Sequence, residues 1–312
     1  MVKASLRAGK QMKRVSYSQY KTWVECPYRW KLKYIDGLDS FDHSIYTIFG
    51  TSIHRVIQDW LEQDLYSDSV FDASSINLSQ KFKSILIEEA APHMKQINEN
   101  GEQTFLFSRE ELEEFYEQGL KIISYVQQNQ EKLFPTKNVK LFAIEHELKV
   151  DVNDHVYFIG YLDIITHNES TGEYFLYDLK TSTRGWNKYM KQDKTKTDQL
   201  LLYKIFFAKE MGIPDYKVNI GYLIMKRQLY ETSYPNPRVT EFAPSNGPPS
   251  LKRAWSGFNN FVDLVFDAGS YISEQEATPS KNSCRFCSFG KDGTCEFVYL
   301  SLIHISEPTR PY

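Results

Sequence analysis

Apolar positions that repeat at helical spacing dominate the first part of the chain. After Gly50 they predict a helix that carries His54 in its first turn. Between 108 and 134 they form a second stripe, which opens with the capping-box pair Ser108 and Glu111. The chain up to about residue 135 is therefore predicted to be mainly helical.

The pattern then changes to the two-residue period of β-strands. Residues 142–152 alternate, with Glu145 and Glu147 on one face, and 161–182 reads as two strands around a centre rich in turn-forming residues. Further on, the pattern predicts a helix at 197–212, a strand at 217–226, an irregular loop at 235–249 and a last helix at roughly 250–271. This order favours an α/β domain with a helical cap over a doubly wound sheet.

The hairpin at 161–182 contains an acid in each strand. A turn centred on Ser170 and Thr171 would place Asp163 directly opposite Asp178, with Cβ atoms roughly 5 Å apart. Two carboxylates at that separation can share one divalent cation. Lys180 is two residues past Asp178 and projects from the same face. The arrangement depends on the register, because a slip of one residue would move one acid to the other face.

The overall composition is that of a globular protein. The 312 residues are 41% hydrophobic and 25% charged, with a net charge of −3. The sequence contains no apolar run near the ~18 residues of a membrane span, and the start of the chain lacks the hydrophobic segment of a secretory signal. We therefore expect a protein that does not contact membranes and that resides in the cytoplasm, in a bacterial cell or a phage-infected host.

Positive charge is concentrated in two segments. Residues 1–15 form a basic arm that we expect to be flexible. A second basic strip follows the hairpin, where Lys180, Arg184, Lys188, Lys191, Lys194 and Lys196 are accompanied only by Asp193. Such a strip beside two carboxylates suits phosphate contacts with a nucleic acid, while a solvated lysine-rich surface is the alternative.

The four cysteines form a second candidate site. Cys26 stands alone near the start, and Cys284, Cys287 and Cys295 cluster near the end in the stretch CRFCSFGKDGTC. A cytoplasmic protein rarely uses such a set for disulfides. Four thiolates including a C-x2-C pair suit either Zn²⁺ or an iron–sulfur cluster.

Four short motifs together resemble a known family. In order, they are Gly50-x-x-x-His54, Gly160-x-x-Asp163, Asp178-Leu179-Lys180 and Gln199-x-x-x-Tyr203. Each is weak alone, but their order and the elements predicted between them resemble the RecB-like branch of the PD-(D/E)XK nuclease superfamily. The resemblance runs from 16 to 295. It implies a restriction-endonuclease-like core, a central mixed sheet flanked by helices. One departure is the aspartate at Asp178, where the family often has glutamate.

The resemblance implies a role for each motif residue. Asp163, Asp178, the Leu179 carbonyl and His54 would bind Mg²⁺ or Mn²⁺, which favour oxygen ligands, and the imidazole would shift preference toward Mn²⁺. Lys180 would orient or help deprotonate the attacking water. Gln199 and Tyr203, one helical turn apart, would order the site or touch substrate, and plain helix packing is the alternative. Glu145 and Glu147 could add a ligand, although solvated strand acids are expected for at least one of them.

The cysteine spacing is similar to that of the iron–sulfur nucleases such as AddB and the CRISPR-adaptation exonuclease. In them a [4Fe-4S] cluster usually ties the two ends of the chain together. By this resemblance Cys26, Cys284, Cys287 and Cys295 would hold the cluster and fasten the helical cap. The last gap has seven residues where five is more familiar, which keeps Zn²⁺ open as the alternative.

These observations predict the domain organisation of the chain. A basic arm at 1–15 is followed by one nuclease domain at 16–299. Within it we expect a helical insert at about 60–135, a nuclease core at about 139–226, and the last helix with the cysteines at 250–299. Residues 300–312, LSLIHISEPTRPY, resemble the in-frame translation of a sequencing adapter and are left out of the fold prediction.

The predicted function is that of a metal-dependent DNA nuclease. Its substrate would be single-stranded DNA or DNA with free ends, cut as an exonuclease in repair, recombination, CRISPR adaptation or phage DNA processing. The alternative is a catalytically silent DNA-end binder, or a subunit that works beside a helicase or recombination partner, in which the cluster is structural. The chain has no Walker A motif, so any motor would be a separate chain.

Overall fold

The computed structural model describes residues 12–38, 44–67, 77–94, 96–97, 103–231, 235–285 and 287–298. Within them the α-helices are α1 (Tyr17–Glu25), α2 (Pro27–Tyr34), α3 (Ile45–Trp60), α4 (Leu78–Ala90), α5 (Arg109–Gln128), α6 (Gln130–Leu133), α7 (Lys188–Gln192), α8 (Lys194–Met211), α9 (Pro248–Val265), α10 (Lys281–Arg285) and α11 (Ser288–Lys291). A π-helical turn at Leu61–Leu65 continues α3, and 3₁₀ turns lie at Ala91–His93 and Asp215–Lys217. No described helix has the length and apolar character needed to cross a membrane.

The strands complete the chain order. They are β1 (Lys13–Ser16), β2 (Gln96–Ile97), β3 (Gln103–Thr104), β4 (Val139–Asp151), β5 (Val156–Asn168), β6 (Glu173–Ser182), β7 (Val218–Lys226), β8 (Val239–Phe242), β9 (Phe266–Asp267) and β10 (Ser270–Tyr271). By contacts the chain divides into two compact units, where the sequence predicted a single domain for 16–299. The first unit comprises 1–41, 151–159 and 255–312, and the second comprises 42–150 and 160–254.

The second unit is built on a mixed β-sheet. Strand β6 pairs antiparallel with β5 and parallel with β7, β7 pairs antiparallel with β8, and β4 pairs with β5. The core includes apolar residues of α3, α4 and α5 packed with alternate residues of the sheet, among them Ile164, Tyr177 and Leu179. Helix α8 packs against β6 and β7, and its Phe207 contacts Tyr174. The predicted α/β fold, with a central mixed sheet and flanking helices, is confirmed.

The first unit joins the two ends of the chain. Its β1 pairs in parallel with the start of β5, from Lys13 opposite Val156 to Ser16 opposite Ile159. Buried aromatic rings, including Tyr20, Trp30, Phe158, Phe258 and Phe261, fill its interior at edge-to-face or tilted angles. Large rings bury much apolar area for each residue. This unit therefore has a core of its own.

Two element boundaries at the start of the chain differ from the sequence prediction. The basic arm predicted for 1–15 contains β1 from Lys13, while residues 1–11 lie outside the described part. Helix α3 begins at Ile45, because Ser44 and Thr47 form a reciprocal capping box. The prediction that His54 lies in the first turn is therefore wrong, and Gly50 lies within the helix. A Cβ at Gly50 would lie 3.3 Å from the Thr181 side-chain oxygen, so glycine permits close helix–sheet approach.

Two further boundaries differ after residue 235. The predicted irregular loop contains β8. This strand forms by pairing with β7, and such pairing between segments leaves no signal in the local pattern of apolar residues. The last helix ends at Val265 and not near 271, since Ala268 and Gly269 adopt positive φ in the turn between β9 and β10. Helix α5 begins at the predicted capping box, with both reciprocal bonds formed. The predicted adapter at 300–312 lies outside the described residues.

Candidate active site

The β5–β6 hairpin has the register that its turn residues predicted. Its pairs run from Ile164 opposite Tyr177 to Asn168 opposite Glu173, and the same register continued by one step puts Asp163 opposite Asp178. The Asn168 side chain accepts hydrogen bonds from backbone N–H groups within the turn. These bonds fix the local geometry in which the two strands meet.

Asp178 and Lys180 form an ion pair on one face of β6. The Lys180 Nζ lies 2.5 Å from the Asp178 Oδ2, and Asp178 is only 3% exposed. Burial raises the pKa of Asp178 to about 6, although the Lys180 charge opposes this. Burial by itself would lower the pKa of Lys180, but the charges of Asp178 and Asp163 outweigh it and raise that pKa. Lys180 therefore remains an ammonium group at neutral pH.

Asp163 faces both the hairpin and helix α3. Its Oδ2 accepts a hydrogen bond of 2.7 Å from the Leu179 N–H and lies 3.6 Å from the His54 Nδ1. Burial raises the pKa of Asp163 to about 6, against the effects of Lys180 and of the Leu179 bond. Burial, followed by the Lys180 charge, lowers the pKa of His54 to about 4. The imidazole is thus neutral near pH 7, which is the form that binds metals.

Glu145 reaches the site through a break in the alternation of β4. It has a φ of +47°, in the left-handed region that glutamate rarely adopts. Leu141 and Ile144, which precede Glu145, both pack on the core of the second unit although they are three residues apart. This odd spacing shows that the alternation is interrupted just before Glu145, and irregular strand backbone of this kind can re-aim a side chain near an active site.

Gln58 of α3 holds the Glu145 side chain in place. Its Nε2 donates a 2.6 Å hydrogen bond to the Glu145 carboxylate and a 3.1 Å bond to the Asp163 backbone carbonyl. Gln58 is 5% exposed, and it lies one helical turn after His54. Sequence reasoning missed Gln58. The signal in the sequence was that Gln58 is four residues after His54, a candidate ligand. This spacing indicates a role at the site only when the position of α3 against the sheet is known.

Three of these side chains could bind one metal ion. His54, Glu145 and Asp163 each offer a ligand atom, and the three atoms lie within 4.8 Å of one another. The donor set of one neutral imidazole and two carboxylates suits Mg²⁺ or Mn²⁺. A divalent cation would also offset the cost of holding buried carboxylates ionised.

This donor set differs in part from the one predicted. His54 and Asp163 were predicted ligands and belong to it, and Glu145, which the sequence left open, joins them. Asp178 is predicted too, but here its carboxylate pairs with Lys180 at the edge of the set. The Leu179 backbone acts against the lowering of the His54 pKa, so this residue also borders the site. Glu147 instead accepts a bond from the Tyr161 hydroxyl.

Gln199 and Tyr203 of α8 contact each other beside the acids. The Gln199 Nε2 donates to the Tyr203 hydroxyl at 3.3 Å. Burial raises the pKa of Tyr203 to about 12, and the charges of Asp178 and Lys180 act on it. The phenol is therefore a neutral donor at neutral pH. The two motif residues lie together at the site, as their spacing predicted.

The four cysteines also lie together, in the first unit. Cys26, Cys284, Cys287 and Cys295 line one cavity whose other walls are mainly apolar, with Leu32, Phe289 and Val298 among them. All four are free thiols. Burial raises the pKa of Cys295, and the three other cysteines are close enough to raise it further. Four thiols around one mainly apolar cavity are ligands of the type that a zinc ion or an iron–sulfur cluster requires.

Comparisons with known proteins concern the fold and the family of this chain. A crystal structure of a "putative exonuclease" from Eubacterium rectale is similar, with a TM-score of 0.53 and 13% identity over 98% of each chain. A second solved structure, SSO0001, gives a TM-score of 0.28 and 12% identity, over 91% of this chain and 97% of that one. No curated protein matches at a significant level. The family model of the PD-(D/E)XK nuclease superfamily matches residues 14–291, and the chain belongs to that superfamily.

Proposed function

We propose that this nuclease is a metal-dependent deoxyribonuclease that hydrolyses single-stranded DNA from free ends. The observation that carries the proposal is the convergence of His54, Glu145 and Asp163 beside the Asp178–Lys180 ion pair. Paired acids with an adjacent ammonium group are suited to phosphodiester hydrolysis. A protein that only binds DNA gains nothing from acids that face a phosphate, because they repel it.

His54, Glu145 and Asp163 would hold the divalent cation. When bound, the cation would lower the pKa of water and offset charge on the phosphate. Lys180 can donate hydrogen bonds to a phosphate oxygen or to the attacking water. Since its two acid neighbours raise its pKa, orienting these groups suits it better than accepting a proton. Asp178 positions the ammonium group, and the Tyr203 hydroxyl offers a further neutral donor.

The four cysteines extend the proposal to a [4Fe-4S] cluster. It is supported by their convergence on one apolar cavity, from positions near both ends of the chain. A site that joins Cys26 to Cys284 closes a loop of about 260 residues, which removes much freedom from the unfolded chain. Zn²⁺ is the competing occupant. Oxygen-free purification followed by a visible spectrum and iron and zinc analysis distinguishes the two metals.

The test of hydrolysis compares Lys180→Ala with Lys140→Ala, an exposed lysine on β4. We expect the wild type to digest linear single-stranded DNA with Mn²⁺ and to leave covalently closed single-stranded circles intact. Lys180→Ala should lose at least about 100-fold in rate, a typical loss for one transition-state contact, while Lys140→Ala should match wild type. Digestion that survives Lys180→Ala would contradict the mechanism. Digestion of circles would contradict the requirement for ends.

A further inference from the structure

A group of exposed aromatic and basic side chains follows the catalytic strand. Strand β6 ends at Ser182, two residues after Lys180 and about 7 Å further along the strand. The chain then continues through Arg184 to α7, which carries exposed Lys188 and Tyr189. Tyr230 follows β7, the parallel neighbour of β6, so that it emerges at the same edge of the sheet.

Arg184 and Tyr230 contact each other at this edge. The guanidinium carbon lies 4.6 Å from the ring centroid, and its Nη1 donates a 3.2 Å hydrogen bond to the Tyr230 hydroxyl. Backbone bonds from Arg227 and Gln228 to the Ser182 and Thr183 carbonyls extend the β6–β7 pairing up to this pair. The two planar groups therefore rest on an ordered backbone.

Two aromatic rings here are largely exposed to solvent, although burying their apolar area would stabilise the fold. Tyr189 is 81% exposed and follows Lys188 in the sequence, and Tyr230 is 56% exposed and lies beside Arg184. An exposed ring beside a cation is the combination that single-stranded nucleic acids require, because a base stacks on the ring while the cation meets its phosphate.

Several basic side chains around these rings have no acidic partner within the described part of the chain. Among the residues that the structure describes, Arg184, Lys188, Lys191, Lys226 and Arg238 form no ion pair with a carboxylate. Burial lowers the pKa of Lys226, and the charges of Lys191 and Arg238 lower it further. Like charges held together without an acid raise the energy of the free protein, and a polyanion would relieve this repulsion.

We propose that Arg184, Lys188, Tyr189, Lys191 and Tyr230, which we call the β6–β7 shelf, bind the bases and phosphates of a single strand that leads to the catalytic acids. The inference rests on the proposed function and specifies the substrate class of the same site. The faces of the bases are accessible in a single strand and stacked within a duplex. The shelf therefore selects single strands through the bases and not through charge alone.

Binding and cleavage can be measured separately. Binding is measured by fluorescence anisotropy in EDTA, which prevents metal-dependent cutting, with two labelled strands of equal length: an oligothymidylate and an abasic deoxyribose-phosphate strand. We expect wild type to bind the oligothymidylate more tightly. Tyr230→Ala should weaken that binding about tenfold, leave binding of the abasic strand nearly unchanged, and thus remove most of the difference. Tyr230→Phe keeps the ring and should bind as wild type does.

Tyr216→Ala is the matched control. Tyr216 is 70% exposed and precedes β7, whereas Tyr230 follows it, so the two tyrosines lie at opposite ends of the same strand. Tyr216→Ala should bind both strands as wild type does. Arg184→Ala should weaken binding of both strands. The dependence of the affinity on salt concentration should become weaker by the amount that corresponds to the loss of about one phosphate contact.

Three results would overturn the shelf. They are unchanged oligothymidylate binding in Tyr230→Ala, equal weakening for the thymidylate and abasic strands, and absence of single-strand binding by wild type. The proposed function fails by a different result, namely that wild type with Mn²⁺ cleaves no DNA. Cleavage by wild type together with normal binding by Tyr230→Ala would overturn the shelf alone.

Discussion

The acid site and the cysteine site assemble in different ways. The acid site arises mainly from neighbours along the sheet, since Asp163, Asp178 and Lys180 belong to one hairpin. The cysteine site brings Cys26 together with residues more than 250 positions later in the chain. The first site holds buried charge that opposes folding, whereas the second would hold a metal that folding requires.

This difference distinguishes the acid site, which we expect to serve catalysis, from the cysteine site, which we expect to serve stability. Burial raises the pKa values of Asp163 and Asp178, so the folded protein holds their charges at an energetic cost. Buried charges of this kind are typical of functional sites and not of stabilising ones. Thiols in an apolar cavity gain stability only when a metal links them. Removing an acid should therefore impair catalysis, and removing a thiol should impair folding.

The largest effect is expected for Asp163→Asn. We expect the rate of DNA cleavage with Mn²⁺ to fall at least about 1,000-fold, because one ligand of the cation is lost. The thermal unfolding midpoint in EDTA should stay equal or rise, since the buried charge is removed, and Mn²⁺ should no longer raise it. Asp215→Asn, an exposed acid before β7, is the control and should behave as wild type in both assays. A marked fall in the midpoint would show that Asp163 serves stability instead.

Cys287→Ser should have the opposite profile. Cys287 is 7% exposed and lines the cysteine cavity, so its loss should lower the free energy of unfolding by about 3 kcal/mol or more through loss of the metal. Denaturant unfolding and metal content, measured on protein prepared without oxygen, test this. Lys291→Ala, between the last two cysteines, should change neither quantity. Unchanged stability in Cys287→Ser would remove the contrast between the two sites.

Glu145→Gln tests the role of the irregular backbone at Glu145, with Glu147→Gln as its matched control. The two residues are neighbours on β4 with different partners, Gln58 for Glu145 and the Tyr161 hydroxyl for Glu147. We expect cleavage to fall about 10- to 100-fold for Glu145→Gln and less than about twofold for Glu147→Gln. Equal rates would mean that the acid ligands come from the hairpin alone.

Gly50→Ala should give the smallest effect. Alanine gains about 1 kcal/mol of helix propensity, while its Cβ would press on Thr181 at 3.3 Å. We expect the free energy of unfolding to change by less than about 1 kcal/mol and cleavage to fall a few-fold, as α3 shifts with His54. Gly212→Ala is the control and should affect stability and not cleavage. Gly212 ends α8 at a φ of +62°, so alanine there should lower the free energy of unfolding by about 1 kcal/mol. The rate of cleavage should be preserved. Rates that follow stability in both variants would argue against a positioning role for Gly50.

Features that depend on neighbours along the chain could be predicted from the amino-acid sequence. Turn residues at Asn168–Gly172 specify the hairpin register, and that register sets Asp163 against Asp178. The Ser108–Glu111 pair specifies where α5 begins. In each case a few adjacent side chains satisfy backbone groups locally, so the pattern can be interpreted without the rest of the fold.

Features that join distant segments of the chain could not be predicted in this way, because they depend on the folded structure. Periodicity predicted neither β1 nor β8, because each is a four-residue strand that exists through its partner strand. Glu145 reaches the acid site through a positive φ, and Gln58 does so through the placement of α3. Such strained or long-range arrangements persist because surrounding packing compensates for their cost, and a short stretch of sequence does not reveal that compensation.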